Sequence, residues 1–182
     1  MAQTIRYMSK ATGVTPAASH TAGGTGAGVD ADGTAQPKQG TIPAATATQE
    51  NQTVTVRSKL ALTVALDPMA ANDIYVAFPL PARHEIVDAK ILSDDIETGG
   101  PTLTLTMAQL FQDFTDIVTG TSIITASTVG QAGGVARADT AAGLEVAATD
   151  YDRWYGLKVI GANTAIAAGN LYVEIQYRAF NG

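Results

Sequence analysis

No cysteine occurs anywhere in the 182 residues, which excludes disulfide cross-links, thiolate nucleophiles, zinc ribbons and iron–sulfur clusters. Histidine is nearly as scarce. His20 and His84 are the only two, and a metal centre on a β-barrel draws several histidines together. Only one aromatic residue, Tyr7, falls within the first 52 positions. No apolar run approaches the ~18 residues that a membrane-crossing helix needs. The opening Met-Ala-Gln-Thr-Ile-Arg lacks the apolar core of a secretory signal, so a soluble protein made in the cytoplasm is expected. Helical periodicity is missing too, apart from a candidate single turn around residues 107–114.

Positive charge is the remaining shortage. Eleven Lys and Arg stand against seventeen Asp and Glu, a net charge of −6. The basic residues are scattered singly from Arg6 to Arg178, with no patch to offset the repulsion from a phosphate backbone. Neither nucleic acid nor membrane is an expected partner.

Catalytic constellations do not assemble from what is left. Ser19-His20 sits in an Ala/Gly segment that holds no geometry, and no Gly-x-Ser-x-Gly elbow occurs. Gly24-x-Gly26-x-Gly28 follows no strand and opens no helix, so it is neither a phosphate loop nor a dinucleotide fingerprint. Asp30-Ala31-Asp32-Gly33 lacks the third ligand and distant Glu of a calcium loop. The acidic run Asp94-Asp95-Ile96-Glu97 reads as a solvated loop that blunts a sheet edge, with a weak cation site as the lesser reading. Asn51-Gln52-Thr53 matches a glycosylation sequon by accident. A non-enzymatic protein without a cofactor is expected.

What is present divides in two. Residues 1–52 are dominated by Ala, Thr, Gly, Pro, Ser and Gln. Such a stretch buries too little apolar surface to offset the ~1–2 kcal/mol per residue that ordering its backbone costs. It reads as an extended N-terminal arm. Ile5, Arg6, Tyr7 and Met8 at its tip carry a small apolar cluster suited to docking on another subunit.

Residues 53–182 read as β-structure. Val54, Val56, Leu60, Leu62, Val64 and Leu66 alternate with polar or small residues, with a bend or junction expected near Ser58 and a stop at Asp67-Pro68. Ile74, Val76 and Phe78 alternate up to Pro79, as do Val87, Ala89 and Ile91, then Leu103, Leu105 and Met107. Residues 117–125 and 144–148 are further candidate strands, and 151–160 with 171–180 are expected to pair as a closing hairpin. Seven or eight short strands predict an all-β antiparallel sandwich, Ig-like or jelly-roll-like, whose strand order the sequence leaves open. Trp154, the only tryptophan, and Tyr151 form either an aromatic platform for a sugar or partner, or a core or interface plug.

Three passages carry a resemblance: Ile86-Val87-Asp88-Ala89-Lys90-Ile91-Leu92-Ser93-Asp94-Asp95, then Gly99-Gly100-Pro101-Thr102-Leu103-Thr104-Leu105, then Ser127-Thr128-Val129-Gly130-Gln131-Ala132-Gly133-Gly134. Residues 83–180 thereby resemble small structural proteins of tailed phages. The resemblance implies a bacteriophage virion component, foremost a capsid decoration (cement) protein. It implies a jelly-roll or related fold and a homotrimer on the capsid exterior that ties major capsid protein subunits together. It supplies no catalytic residue. The alternative is a tail, fibre or host-attachment module, with carbohydrate binding through Trp154 and Tyr151.

Overall fold

The computed structural model describes the backbone of residues 5–7 and 9–10 and, with side chains, residues 53–62, 69–100, 102–163 and 165–180. Within these, ten strands and two four-residue helices follow one another: β1 (Ile5–Tyr7), β2 (Ser9–Lys10), β3 (Thr53–Leu62), β4 (Ile74–Leu80), β5 (His84–Ser93), β6 (Thr104–Leu110), β7 (Ile117–Ser127), α1 (Val129–Ala132), β8 (Gly134–Arg137), α2 (Ala141–Leu144), β9 (Arg153–Gly161) and β10 (Gly169–Ala179). One sheet has the order β1-β4-β9-β6-β7 and the other β2-β3-β10-β5-β8. Apart from the parallel β1–β4 pair, every pairing is antiparallel. The expected all-β sandwich is the fold.

Period-two alternation builds the core. Leu171, Val173, Ile175 and Tyr177 of β10 face inward, as do Tyr155, Leu157 and Val159 of β9 and Leu105 and Met107 of β6. All nine are buried, which at ~1.5–3 kcal/mol for each large apolar side chain is the main favourable term of folding. Ser58 occupies an inward place of β3. Its hydroxyl donates to the Ala77 carbonyl of the opposite sheet at 2.7 Å, so β3 runs unbroken where a junction was expected. Residues 63–68, the rest of that alternating stretch, lie outside the described residues.

Several expectations need correction. The closing pair 151–160 and 171–180 are both strands but do not pair. β9 lies between β4 and β6 and β10 between β3 and β5, so the connection crosses from one sheet to the other. Residues 145–148 form no strand and Leu144 ends α2, while β8, too short for an alternation signal, supplies the eighth strand of the sandwich. Residues 107–110 continue β6 and the chain then turns, without a helical turn.

Two irregularities in the pairing redistribute faces that sequence alternation had put together. The β4–β9 register shifts between Val76 and Phe78, so Ile74 and Val76 lie in an apolar cluster apart from the main core, where Phe78 lies. Opposite β10, Gln176 pairs with Asp88 but Tyr177 with Ile86; Val87 is the extra residue and is exposed, while Ile86 turns inward. β4 also runs on through Pro79, because β1 accompanies it only to Val76. On that side the missing N–H of proline leaves no described neighbour without a donor.

Gly156 marks a close backbone approach within the first sheet: a Cβ there would lie 2.2 Å from the Tyr75 carbonyl oxygen. Gly156→Ala is expected to destabilise the protein by about 2–3 kcal/mol through overpacking. Gly100→Ala, with nothing within 4 Å, should stay within about 0.5 kcal/mol of the parent in the same thermal-unfolding measurement.

Candidate interaction surfaces

The sandwich presents two ends, two outer faces and the edges of its sheets. At the end where β3 begins, the 81–83 and 111–116 turns, residues 145–152 and the end of β10 come together. Ala82 N–H donates to Asp152 Oδ1 at 2.9 Å, Arg83 N–H to the Thr149 carbonyl at 2.7 Å, and Phe180 N–H to the Arg83 carbonyl at 2.8 Å. Gln112 Nε2 donates to the Asp152 carbonyl at 3.2 Å. Phe111, Tyr151 and Phe180 are exposed around this knot, among Asp113, Asp150 and Asp152.

Of the sequence-selected pair, only Tyr151 is open, at 58%. Trp154 is buried on β9 in the smaller apolar cluster with Ile74, Val76 and Leu110. Phe114 and the Trp154 indole make a T-shaped pair with centroids 5.3 Å apart, and Trp154 is only 9% exposed. The neighbouring Arg153 gave no sequence signal. Its guanidinium is buried, donating to the carbonyls of His84 at 2.6 Å and Ala147 at 3.0 Å, and no carboxylate pairs with it among the described residues. It ties the loop before β9 to the start of β5.

The opposite end collects the three passages that carry the sequence resemblance. Glu97 is buried, and its carboxylate accepts the backbone N–H groups of Thr102 and Leu103. Gln131 Nε2 donates to the Leu103 carbonyl at 2.8 Å, and Ile96 N–H to the Gly130 carbonyl at 3.1 Å. Asp94 accepts from both nitrogens of Asn170, which holds its carboxyl below the usual aspartate range. The acidic run is thus spent on loop closure, and among the described residues no His/Asp/Glu group is placed to hold a metal.

The outer face of the second sheet is charged. Arg57, Glu174, Lys90 and Arg137 stand in one transverse row across β3, β10, β5 and β8. Glu174 accepts from Arg57 Nε at 2.8 Å and from Lys90 Nζ at 2.5 Å. Lys59 and Arg57 lie over the Tyr172 ring, and Arg178 pairs with Glu85 at 2.7 Å. Five of the chain's eleven basic residues gather here against Glu85, Asp88 and Glu174, leaving this face net positive on an acidic protein.

The edges hold the remaining candidates. Ile5, Arg6 and Tyr7 lie opposite Ile74, Tyr75 and Val76, and Ser9 and Lys10 opposite Lys59 and Ser58. The segment thus borders both sheets on the same side of the sandwich, β4 in one and β3 in the other. The side chains of Ile5, Arg6, Tyr7, Ser9 and Lys10, and the whole of Met8, lie outside the described residues, as does the rest of residues 1–52.

No family model matches the chain, and no curated protein matches it. Solved structures do. A chain in "Capsid of Ralstonia phage GP4" is 29% identical with a TM-score of 0.62, over 74% of this chain and 88% of that one. A chain in "Cyanophage Pam1 capsid asymmetric unit" is 22% identical with a TM-score of 0.57, over 80% and 97% respectively, and shares the fold. Both likenesses are to chains of phage capsid structures. In each case the fold makes up nearly the whole of the neighbouring chain.

Burial alone would raise the Glu174 carboxyl, but hydrogen bonds and charge from Lys90 and Arg57 outweigh it and hold the group below its ordinary 4.5. A carboxyl lowered by folding adds stability above its unfolded value and loses that stability as pH falls through the folded value. Glu174→Gln should therefore lower stability near pH 7 by about 1–3 kcal/mol. It should also flatten the acid-side decline below 4.5, read by urea unfolding across pH.

Proposed function

We propose that this chain is a non-enzymatic structural protein of a bacteriophage virion, a decoration or cement protein that binds the capsid exterior and ties neighbouring major capsid protein subunits together. The observation that carries this reading is the match to a chain of the Ralstonia phage GP4 capsid, which spans most of both chains. The alignment covers 88% of that neighbouring chain. A chain that is little more than one sandwich suits attachment to a shell.

The strand order supports a jelly-roll reading. Counting β3–β10 as eight strands, one sheet takes the first, eighth, third and sixth, and the other the second, seventh, fourth and fifth. That is the two-Greek-key arrangement of a jelly roll. The net charge of −6 suits an outer protein that should not adhere to the phage's own nucleic acid.

In this reading the protein is a homotrimer whose domains rest on the shell while the N-terminal segments, with Ile5, Arg6, Tyr7 and Met8 at their tips, engage neighbouring subunits. Joining several contacts through one chain raises avidity by ~10²-fold or more over a single contact. The isolated protein is expected to add to expanded capsids with saturable, symmetric occupancy, and removal of residues 1–52 should weaken binding by about that factor in a titration of capsids. Mass spectrometry of particles showing only a handful of copies would favour a tail or fibre location and end the cement reading.

A further inference from the structure

We propose that copies of this chain join face to end: the arginine-bearing outer face of the second sheet in one copy seats the acidic, aromatic end around Tyr151 of the next. This rests on the self-association proposed above and names the two surfaces that carry it. In the ion pairs of that face the cation stands out and the carboxylate lies low. The side chains of Arg57, Arg137 and Arg178 are 43%, 69% and 54% exposed, against 6%, 34% and 26% for their partners Glu174, Asp88 and Glu85. A guanidinium carries more N–H donors than one carboxylate engages, so each arginine can take a second carboxylate from outside. Beside the row of Arg57 runs a row of Lys59, Tyr172, Leu92 and Val135 across β3, β10, β5 and β8. Val135, at the edge of the sheet, is exposed. The face thus offers cationic heads next to an apolar strip.

The end around Tyr151 has the same mixture with the opposite sign. Phe111, Tyr151 and Phe180 are exposed there among Asp113, Asp150 and Asp152. Arg83, paired with Asp150 at 3.1 Å, offsets one of these carboxylates. The two surfaces adjoin where β10 finishes, Arg178 belonging to the face and Phe180 to the end. Charge then decides how copies meet. The chain carries −6, so two copies repel unless their contact sets opposite charges together. Face on face would oppose arginines, and end on end would oppose carboxylates, both of them costly. Face on end brings guanidinium to carboxylate and lays aromatic rings on the apolar strip. A homotrimer also needs a contact between two different patches, because a cyclic trimer has no two-fold axis to make a patch its own partner.

Charge exchange in the full-length chain, read by native mass and sedimentation over a concentration series, tests the contact. Arg137→Glu with Arg178→Glu reverses the face, and Asp113→Lys with Asp150→Lys reverses the end, all at exposed positions. Each pair of changes alone should weaken association about tenfold or more. The chain with all four changes again sets opposite charges across the contact and should regain the association of the parent. A fourfold variant that melts like the parent yet stays as dispersed as the two double variants would overturn the proposal. So would double variants that assemble like the parent; if they also lose binding to capsids, the reversed surface faces the shell instead. On the unmodified chain, raising salt from about 0.05 to 0.5 M should loosen the multimer. A multimer whose mass holds throughout defeats the face-to-end contact and leaves self-association standing, whereas a chain that is monomeric at every concentration defeats both.

Discussion

Apolar packing between the two sheets is the constraint on which the rest of the molecule depends. Six of the seven connections among the sandwich strands cross from one sheet to the other; only β6 to β7 stays within its own. Neither sheet can form independently of its partner under that connectivity. β9 and β10, adjacent in sequence, become the middle strands of opposite sheets, and their inward rows meet across the core. Contacts between residues distant in sequence dominate such a fold, so its nucleus must close long loops before the core rewards them.

With the inside occupied, the two outward faces are free to differ. The second sheet presents a row of charges knitted by Glu174 to Arg57 and Lys90. The first carries a satellite apolar cluster beneath the 111–116 turn, with Phe114 laid against Trp154 and Asp116 paired with Lys158 at 2.6 Å. Phe114 adopts φ +58°, a conformation that bulky residues rarely take, and the ring contact accompanies that turn geometry. These faces, with the knotted ends and the paired edges, make up the surface of the sandwich.

Much of the fold was legible because one face of most strands is buried and the other wet. The inward rows of β6 and β10 follow from alternation alone. Where the physics is not two-periodic the reading slipped. A one-residue bulge at Val87 sends it outward, and the shift near Ala77 splits Ile74 and Val76 from Phe78. Strand partners were beyond reach for a different reason. A Gly- and Ala-rich loop suggested a hairpin between β9 and β10, but each strand takes its partners from elsewhere, a choice made by the whole sheet. Of the surfaces, the sequence left Tyr151 and Trp154 alike as platform or plug; Tyr151 is open, whereas Trp154 is buried beside Phe114, forty residues away and signalled by nothing nearby. The Arg57–Glu174–Lys90 row was half visible, since alternation put each residue on a polar face without revealing that the faces align.

Thr53 lies directly opposite Arg178, so β3 starts where β10 finishes. A pull on the N-terminal end of β3 against the C-terminal end of β10 would unzip that ladder one rung at a time, at low force. The same pull resisted from the far end of the sandwich would load all ten rungs together in shear. The subunit is therefore mechanically anisotropic, weak along one line of tension and stiff along another, and its orientation on any partner decides which of these is felt.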